Sequence, residues 1–260
     1  MFACYHTHTA RCHHAEGTDE EYVKVAIAEG VRVLGFSDHA PMPYPNGYES
    51  YYKMRLDELG EYCESVLSLR EKYAGQIEIR LGLETEYYPE LFEASLDVWR
   101  RYPIEYLILG QHWVDGETCE LPDPSSFGGK DGTRVTKYVD RVIEAMRTGR
   151  ITYVAHPDLI NYTGDDEKFF RGEMGRLICE SMRLGMPLEY NLLGQSGRRS
   201  YPNPVFWEEA GKLGATAILG CDAHTPDRVA KRCEIAEAEE FLRRCGVRIT
   251  DRVELINPFK

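Results

Sequence analysis

Several features that mark specialised classes of protein are missing from this chain of 260 residues. It has no long hydrophobic run and no apolar leader segment, so we expect a cytoplasmic protein that does not cross a membrane. Its eight cysteines stand singly, without a Cys-x-x-Cys pair, which favours reduced thiols over a disulfide framework. Asp and Glu number 43 against 31 Lys and Arg, and the net charge of −12 disfavours nucleic acid as a partner, because binding phosphate backbones needs clustered cations.

No low-complexity linker or short repeat divides the sequence, and short apolar runs alternate with amphipathic stretches about seven times. The predicted strands are 2–5, 32–37, 77–83, 104–110, 151–155, 187–190 and 215–220. The predicted helices are 18–29, 51–73, 90–101, 134–148, 167–184, 203–213 and 228–244. Thr18 and Glu21 form a capping-box signature at the first helix, and Gly- and Pro-rich composition predicts loops at 115–133 and 191–203. The tail 247–256 could add a closing or edge strand.

Strand–helix alternation predicts an α/β fold with a parallel sheet, either closed into a barrel or open and doubly wound. The histidines favour closure. All eight follow the ends of predicted strands: His6, His8, His13, His14, His39, His112, His156 and His224. The same strand ends carry carboxylates at Asp38, Glu84, Glu86 and Asp222. Only a closed barrel brings so many strand ends to one place, whereas an open sheet binds its ligand at a single switch point.

Histidine is the commonest metal ligand among neutral side chains, so this placement predicts a metal-dependent enzyme. His6-Thr7-His8 and Asp222-Ala223-His224 each put two ligand types two residues apart, on one side of an extended chain. A lone buried histidine is more often a hydrogen-bonded core residue. Six separate strand ends carrying His, Asp or Glu favour a metal site instead.

The ordered motifs resemble those of the polymerase and histidinol phosphatase (PHP) family of metal-dependent phosphoesterases. They are His-x-His-Thr, Ser-Asp-His, Gly-Leu-Glu-x-Glu, Gly-x-His, His-Pro and Gly-x-Asp-Ala-His, running from His6 to about Arg228. Cys12-x-His14 before Gly17-Thr18, Asp38-His39-Ala40-Pro41, and Asn191 with Gly197-Arg198 are most similar to the histidinol-phosphatase branch. The resemblance implies a single domain over residues 1–260 with a distorted (β/α)7 TIM-like barrel.

It also implies a site for two to three divalent transition-metal ions. One ion would take His6, His8, Glu84 and Asp222; a second would share Glu84 with His112 and His156; a third would take His14, His39 and His224. Histidine and carboxylate ligands without thiolates suit Zn²⁺, Mn²⁺ or Fe²⁺. His13 is left over, and Glu86 is expected to orient a ligand or to hold a Lys or Arg.

The implied reaction is the hydrolysis of L-histidinol phosphate, with a hydroxide bridging the metals as nucleophile and no phosphoenzyme. Asp38, His39 and Glu16 are candidate catalytic residues, and the proton for the leaving group would come from Asp38, Glu16 or water on the third metal. Arg198, Arg199 and Asn161 are candidate contacts to the phosphorylated substrate, with Arg198 preferred because it follows Gly197 in a family-like segment.

One departure leaves the substrate open. The histidinol-phosphatase branch commonly carries a basic residue soon after the fifth strand, whereas here no Arg or Lys follows His156 until Lys168. Another small phosphomonoester, such as a nucleotide or sugar phosphate, is therefore an alternative substrate. A non-catalytic metal-binding domain and an amidohydrolase-type barrel acting on C–N bonds are further alternatives. The metal's identity and the oligomeric state stay open.

Overall fold

The computed structural model describes the backbone of residues 1–260 and every side chain except that of Asn46. Eight parallel strands form one sheet in chain order. They are β1 (Ala3–Cys4), β2 (Val33–Phe36), β3 (Glu78–Thr85), β4 (Tyr106–Leu109), β5 (Tyr153–Val154), β6 (Leu188–Asn191), β7 (Thr216–Gly220) and β8 (Arg248–Ile249).

Helices cover the outside of this sheet, as expected for βαβ units. They are α1 (Asp19–Ala28), α2 (Leu59–Lys72), α3 (Pro89–Trp99), α4 (Gly132–Arg147), α5 (Glu167–Arg183), α6 (Leu192–Ser196), α7 (Pro204–Leu213) and α8 (Arg232–Cys245). Among the residues described, no helix is both long enough and apolar enough to cross a membrane.

The first and seventh strands meet only at their carboxyl ends. A single parallel bridge pairs Thr7 with Ala223, and the His8 amide donates to the Ala223 carbonyl at 3.0 Å. At the opposite end β8 pairs with β7 through Thr216 and Arg248. The seven strand ends thus come together on the side that carries the histidines, and the predicted α/β barrel is confirmed, with the tail adding the eighth strand.

Tyr106 fills the barrel interior just below these strand ends. Its hydroxyl lies 2.8 Å from the Tyr5 carbonyl, just after β1, and 3.2 Å from the Phe36 carbonyl at the end of β2, so its one proton can be donated to either. Its ring lies against Gly35 and Gly82, where an added Cβ would overlap it. The two glycines therefore make room for the Tyr106 ring, which packs beneath the strand ends that carry the site.

Two differences from the sequence-based prediction bear on the site. The helix predicted from residue 51 begins only at Leu59, and Leu56 is 42% exposed. Residues 51–58 form a loop because the Lys53 side chain turns into a buried polar cluster and the Met54 amide donates to the His39 carbonyl at 3.3 Å. Inside the predicted loop 191–203, helix α6 starts directly after β6 because the Asn191 side chain accepts from the Gly194 amide at 2.8 Å. The capping box of Thr18 and Glu21 forms as predicted.

Candidate metal centre

Nine side chains that the sequence singled out converge at the carboxyl ends of the strands. They are His6, His8, His14, His39, Glu84, His112, His156, Asp222 and His224. Overlapping groups of three among them place one potential ligand atom each within 4.8 Å of the others. Their positions after six different strands bring together residues more than two hundred positions apart in sequence.

The inner part of the cluster surrounds His6 and His8. Their Nε2 atoms face each other at 3.1 Å, and Asp222 Oδ1 lies 3.0 Å from His8 Nε2 and 3.5 Å from His6 Nε2. The Glu84 carboxylate approaches both rings, at 3.5 Å from His6 and 3.6 Å from His8. Four potential ligand side chains from three strand ends therefore point at one small volume.

The other side of Glu84 faces a second group of histidines. Oε1 lies 3.0 Å from His156 Nε2 and 3.7 Å from His112 Nε2, and Oε2 lies 2.9 Å from His39 Nδ1. Gly110 makes this close approach possible, because an added Cβ there would overlap the Glu84 carboxylate. Glu84 is thus shared between the inner pair of histidines and this second group.

The outer part of the cluster brings His14 against His224, with their Nε2 atoms 3.0 Å apart. His14 also stacks on His39, with ring centroids 5.2 Å apart. His13 adopts a left-handed backbone with φ of 65°, and its Nε2 lies 3.6 Å from Glu58, away from the cluster. Of the adjacent histidines at 13 and 14, His14 is the one that joins the cluster.

Most of these imidazoles are held at Nδ1, which leaves Nε2 to face the centre. His6 Nδ1 lies 2.9 Å from Glu189, His8 Nδ1 3.3 Å from Asp38 and His112 Nδ1 3.2 Å from Glu86. In the outer part, backbone carbonyls take this role, Cys12 at 2.7 Å from His14 and Asp222 at 3.0 Å from His224. Such partners select the tautomer and the ring orientation of a metal-binding histidine.

Glu189 is the supporting residue that sequence reasoning missed. It lies inside β6, is fully buried, and contacts both His6 and the Asn191 side chain. Asn191 in turn donates to Asp222 Oδ2 at 3.0 Å. A charged residue in the middle of an apolar strand was the available signal, and Gly220 on β7 was a second, because only glycine leaves room for the Glu189 carboxylate.

Two of the ligand positions have backbones that residues with a Cβ seldom adopt. His156 has φ of 29° and Asp222 has φ of 49°. Backbone strain of this kind costs on the order of 1–3 kcal/mol and clusters at functional sites, where the surrounding structure enforces it. Here it turns the two side chains back over the strand ends and into the cluster.

Burial and mutual charge set the protonation of the cluster. Burial acts to raise the pKa of Glu84 and of Asp222, but the surrounding imidazoles outweigh it and hold both values well below the usual range. For His39 and His224, burial together with the charge on His8 lowers the pKa, to about 3 at His224. Ionised carboxylates and neutral outer imidazoles are the states in which these groups bind metal.

A buried lysine ties three loops to this site. The Lys53 ammonium lies 2.8 Å from Glu86 and 2.6 Å from Glu117, and it donates to the hydroxyls of Tyr52 at 2.7 Å and Tyr44 at 3.0 Å. Burial acts to raise the pKa of Glu86, but the charges of Lys53 and His112 outweigh it and lower the value to about 2. Glu86 therefore makes both contacts expected of it, one to a histidine and one to a lysine. Nothing in the sequence pattern had singled out Lys53 or Glu117.

A cavity of about 1050 Å³ opens above the cluster. Five of the clustered histidines and Asp222 contribute to its base, and its walls carry Tyr52, Trp113, Pro124, Phe127, Leu159, Asn161, Arg199 and Tyr201, among others. The cavity lining favours Arg199 over Arg198, the arginine that the sequence had favoured. Both arginines are exposed, but Arg198, with φ of 50°, lies outside the lining, whereas Arg199 lines the cavity and donates to the Tyr201 hydroxyl at 2.9 Å.

The candidate proton donors also lie outside the cavity lining. Asp38 is fully buried, and it accepts hydrogen bonds from the Thr9 hydroxyl and, at 2.8 Å, from the His39 amide. Glu16 is exposed, and its backbone amide donates to the His224 carbonyl at 2.8 Å. Asp38 therefore holds His8 in place and does not face the substrate space. Of the three candidate catalytic residues, only His39 lines the cavity.

Comparison with known proteins agrees with this geometry. The PHP domain family matches residues 5–191, which is most of the chain. The chain belongs to the PHP domain family. Two similar proteins are a probable histidinol-phosphatase of Deinococcus radiodurans, 29% identical over 97% of each chain, and a histidinol-phosphatase of Bacillus subtilis, 25% identical over 92% of this chain and 98% of its own length.

A solved structure shares the fold of this PHP protein. It is histidinol phosphate phosphatase from Lactococcus lactis, crystallised with zinc, L-histidinol and phosphate. The two structures superpose with a TM-score of 0.74 at 18% identity, over 99% of this chain and 97% of that one. The family resemblance seen in the motifs and the TIM-like fold are both confirmed.

Replacing Lys53 by Met is expected to destabilise the metal-free protein by about 3–5 kcal/mol, because it leaves the Glu86 and Glu117 carboxylates buried without their cation. Adding Glu117→Gln to Lys53→Met should recover part of that loss. Urea unfolding after chelation measures the change without any contribution from bound ions.

Lys72→Met is the matched control, since Lys72 forms an exposed ion pair with Glu20 and its loss should leave the free energy of unfolding almost unchanged. Equal free energies of unfolding for Lys53→Met and Lys72→Met would show that the buried cluster does not depend on its lysine.

Proposed function

We propose that this protein is a divalent-metal-dependent phosphomonoesterase that hydrolyses L-histidinol phosphate to L-histidinol and phosphate. The observation that carries the proposal is the convergence of seven histidines with Glu84 and Asp222 beneath one cavity. The substrate is supported by the relatives named as histidinol-phosphatases, which align over 97% and 92% of this chain.

The residues present fit a group of divalent cations. Two pairs of imidazole Nε2 atoms face each other at 3.1 Å and 3.0 Å, an arrangement that needs a proton or a cation between them. Glu84 Oε2 is buried without a hydrogen-bond partner, although His39 Nδ1 lies 2.9 Å away. His156 Nδ1 is likewise buried without a partner. Imidazole and carboxylate donors suit zinc, manganese or iron.

We assign the ligands to three ions as the sequence suggested. His6, His8, Glu84 and Asp222 would hold the first, and Glu84 with His112 and His156 the second. His14 and His224 would hold the third with His39, whose ring also lies 4.3 Å from that of His8. Two to three ions per chain are expected. Such ions, when bound, act as Lewis acids that make water more acidic and polarise phosphoryl oxygens.

Different residues would bind the phosphoryl group and the organic part of the substrate. Arg199, fixed by Tyr201, presents a cation to the phosphoryl group at the edge of the cluster. The organic part of the ester would lie against the wall formed by Trp113, Phe127 and Leu159. Asp38 and Glu189 hold His8 and His6, so that both rings keep Nε2 towards the reacting group.

We also infer that residues 1–260 form one domain. The family match ends at residue 191, yet Asp222 and His224 follow β7 and complete the inner and outer parts of the cluster. The bridge from Thr7 to Ala223 joins the same two ends of the chain. A fragment that stops after residue 191 would lack both the ligands and the closing strand.

A substrate panel tests the proposed function. Metal-loaded enzyme should release phosphate from L-histidinol phosphate with a higher kcat/KM than from a nucleoside monophosphate or a sugar phosphate. Chelation should abolish the activity, and elemental analysis should give two to three transition-metal ions per chain. A higher kcat/KM on a nucleotide or sugar phosphate would assign the protein to that ester, which the absence of a basic residue between His156 and Lys168 makes a specific alternative.

Glu84→Gln should lower metal content and reduce kcat by about 100-fold or more, because one side chain is shared between ligand groups. His13→Ala should change kcat/KM by less than about twofold, since a surface side chain outside the cluster contributes little. Metal analysis and phosphate release on both variants give the comparison. A silent Glu84 variant beside an inactive His13 variant would overturn the ligand assignment.

Arg199→Met should raise KM for the phosphorylated substrate by roughly 10–100-fold, the cost of losing a charge-assisted hydrogen bond. Arg198→Met is the neighbouring control and should leave KM within about twofold, because its side chain is exposed outside the cavity lining. Steady-state kinetics on the two variants decide the matter. A larger effect at Arg198 would restore the original preference for that residue.

A further inference from the structure

Two loops form most of the cavity wall away from the metal cluster. Residues 110–131, the β4–α4 loop, contribute Trp113, Pro122, Pro124, Ser126 and Phe127, and residues 155–166, the β5–α5 loop, contribute Leu159 and Asn161 beyond the ligand His156. The β4–α4 loop has one short antiparallel pairing of its own, the bridge between Trp113 and Pro124, and the rest of the two loops is irregular. What keeps them in one arrangement therefore determines the shape that a substrate meets.

The two loops are joined to each other by backbone hydrogen bonds. The Asn161 amide donates to the Ser125 carbonyl at 2.9 Å, the Gly129 amide to the Asn161 carbonyl at 3.1 Å, and the Thr163 amide to the Gly129 carbonyl at 2.9 Å. The Ser125 amide also donates to the carbonyl of the ligand His112 at 2.7 Å. The two loops are thus joined by a short parallel pairing, and the Ser125–His112 hydrogen bond links this pairing to the histidine cluster.

Arg134, in the first turn of α4, fastens this pairing. Its guanidinium donates to Asp123 through Nε at 2.7 Å and Nη2 at 2.8 Å. It also donates to the Pro124 carbonyl at 2.8 Å and to the Asn161 carbonyl at 3.2 Å. The side chain is 11% exposed, and the backbone of Gly129 passes so close that an added Cβ would lie 3.1 Å from Arg134 Cδ.

These contacts occupy the arginine and leave it no role as a substrate ligand. Four of its donor positions are used within the protein, and it is absent from the residues that line the cavity. A lysine could not reproduce them, because an ammonium group lacks the planar fork that binds a carboxylate through two parallel hydrogen bonds.

We propose that Arg134 is a positioning residue that sets substrate specificity by holding the β4–α4 and β5–α5 loops together as the wall facing the organic part of the substrate. This proposal rests on the phosphomonoesterase function proposed above. The metal half of the site is built on strand ends, whereas the contact between the two loops of the substrate half depends on an arginine outside the cavity lining. Replacing a metal ligand or a residue that contacts the phosphoryl group would instead change the metal content, or change KM for every phosphate ester alike.

The test compares Arg134→Lys with Arg141→Lys, a matched change on the same helix, where Arg141 forms an i,i+3 pair with Glu144 at 3.6 Å. Arg134→Lys should raise KM for L-histidinol phosphate by about 10-fold to 100-fold and leave kcat within about threefold, because small displacements of positioning groups weaken binding strongly. For p-nitrophenyl phosphate, which cannot make the same contacts with the wall, KM should change by less than about threefold. Arg141→Lys should leave all these constants unchanged.

Two measurements without turnover accompany the kinetics. Metal content should stay at the wild-type value, and hydrogen exchange should speed up at the amides of Ser125, Gly129, Asn161 and Thr163 but not within β4. Asp123→Asn weakens the paired hydrogen bonds between Arg134 and Asp123 from the acceptor side and should give the same pattern. A folding defect of one variant therefore does not decide the result. The proposal would be overturned if KM for L-histidinol phosphate were unchanged. It would also be overturned if KM rose equally for both substrates and metal content fell.

Failure of the proposed function would look different. If the wild type is inactive on L-histidinol phosphate but hydrolyses another ester of the panel, the assigned substrate is wrong, and the role of Arg134 is judged by KM for that ester. If the wild type hydrolyses none of them, both proposals fall.

Discussion

The site depends on one buried carboxylate, Glu84. Its oxygens lie between 2.9 and 3.7 Å from nitrogen atoms of His6, His8, His39, His112 and His156. A carboxylate removed from water costs several kcal/mol unless partners compensate it, so the fold must bring cationic or metal-bound groups to it from several strands at once. The bridge between Thr7 and Ala223 brings the strand ends together, and Gly110, which has no side chain, leaves room for the Glu84 carboxylate.

The metal centre is built in layers around this carboxylate. Imidazole Nε2 atoms point inwards, and Asp38, Glu86 and Glu189 hold the Nδ1 atoms of three of the rings from outside. Glu86 is itself held by Lys53, which reaches the β4–α4 loop through Glu117. Orientation of the ligands and position of the cavity wall are therefore coupled through buried ion pairs, whose loss would leave charges without partners.

Prediction from sequence succeeded where a residue's position in the fold follows from its place along a strand. The histidines and carboxylates that follow apolar runs form the cluster because parallel strands end on the same side of a barrel. It failed where the role depends on a side chain's direction in an irregular segment. Arg198 and Arg199 are neighbours in a loop, and only the fold decides that Arg199 faces the cavity. Asp38 follows a strand like the ligands do, yet packing against Thr9 and His8 closes it off from the substrate.

By itself the sequence determined the fold class, the family and which residues converge at the strand ends, because periodic apolar runs and chemically distinctive residues at their ends carry that information locally. The tertiary structure alone decided which groups support the cluster and which line the substrate space. Glu189, Lys53 and Arg134 lie in a strand, a loop and a helix with no shared motif, and each acts on partners far away in sequence. Such contacts depend on how loops pack after the barrel closes, which no local pattern specifies.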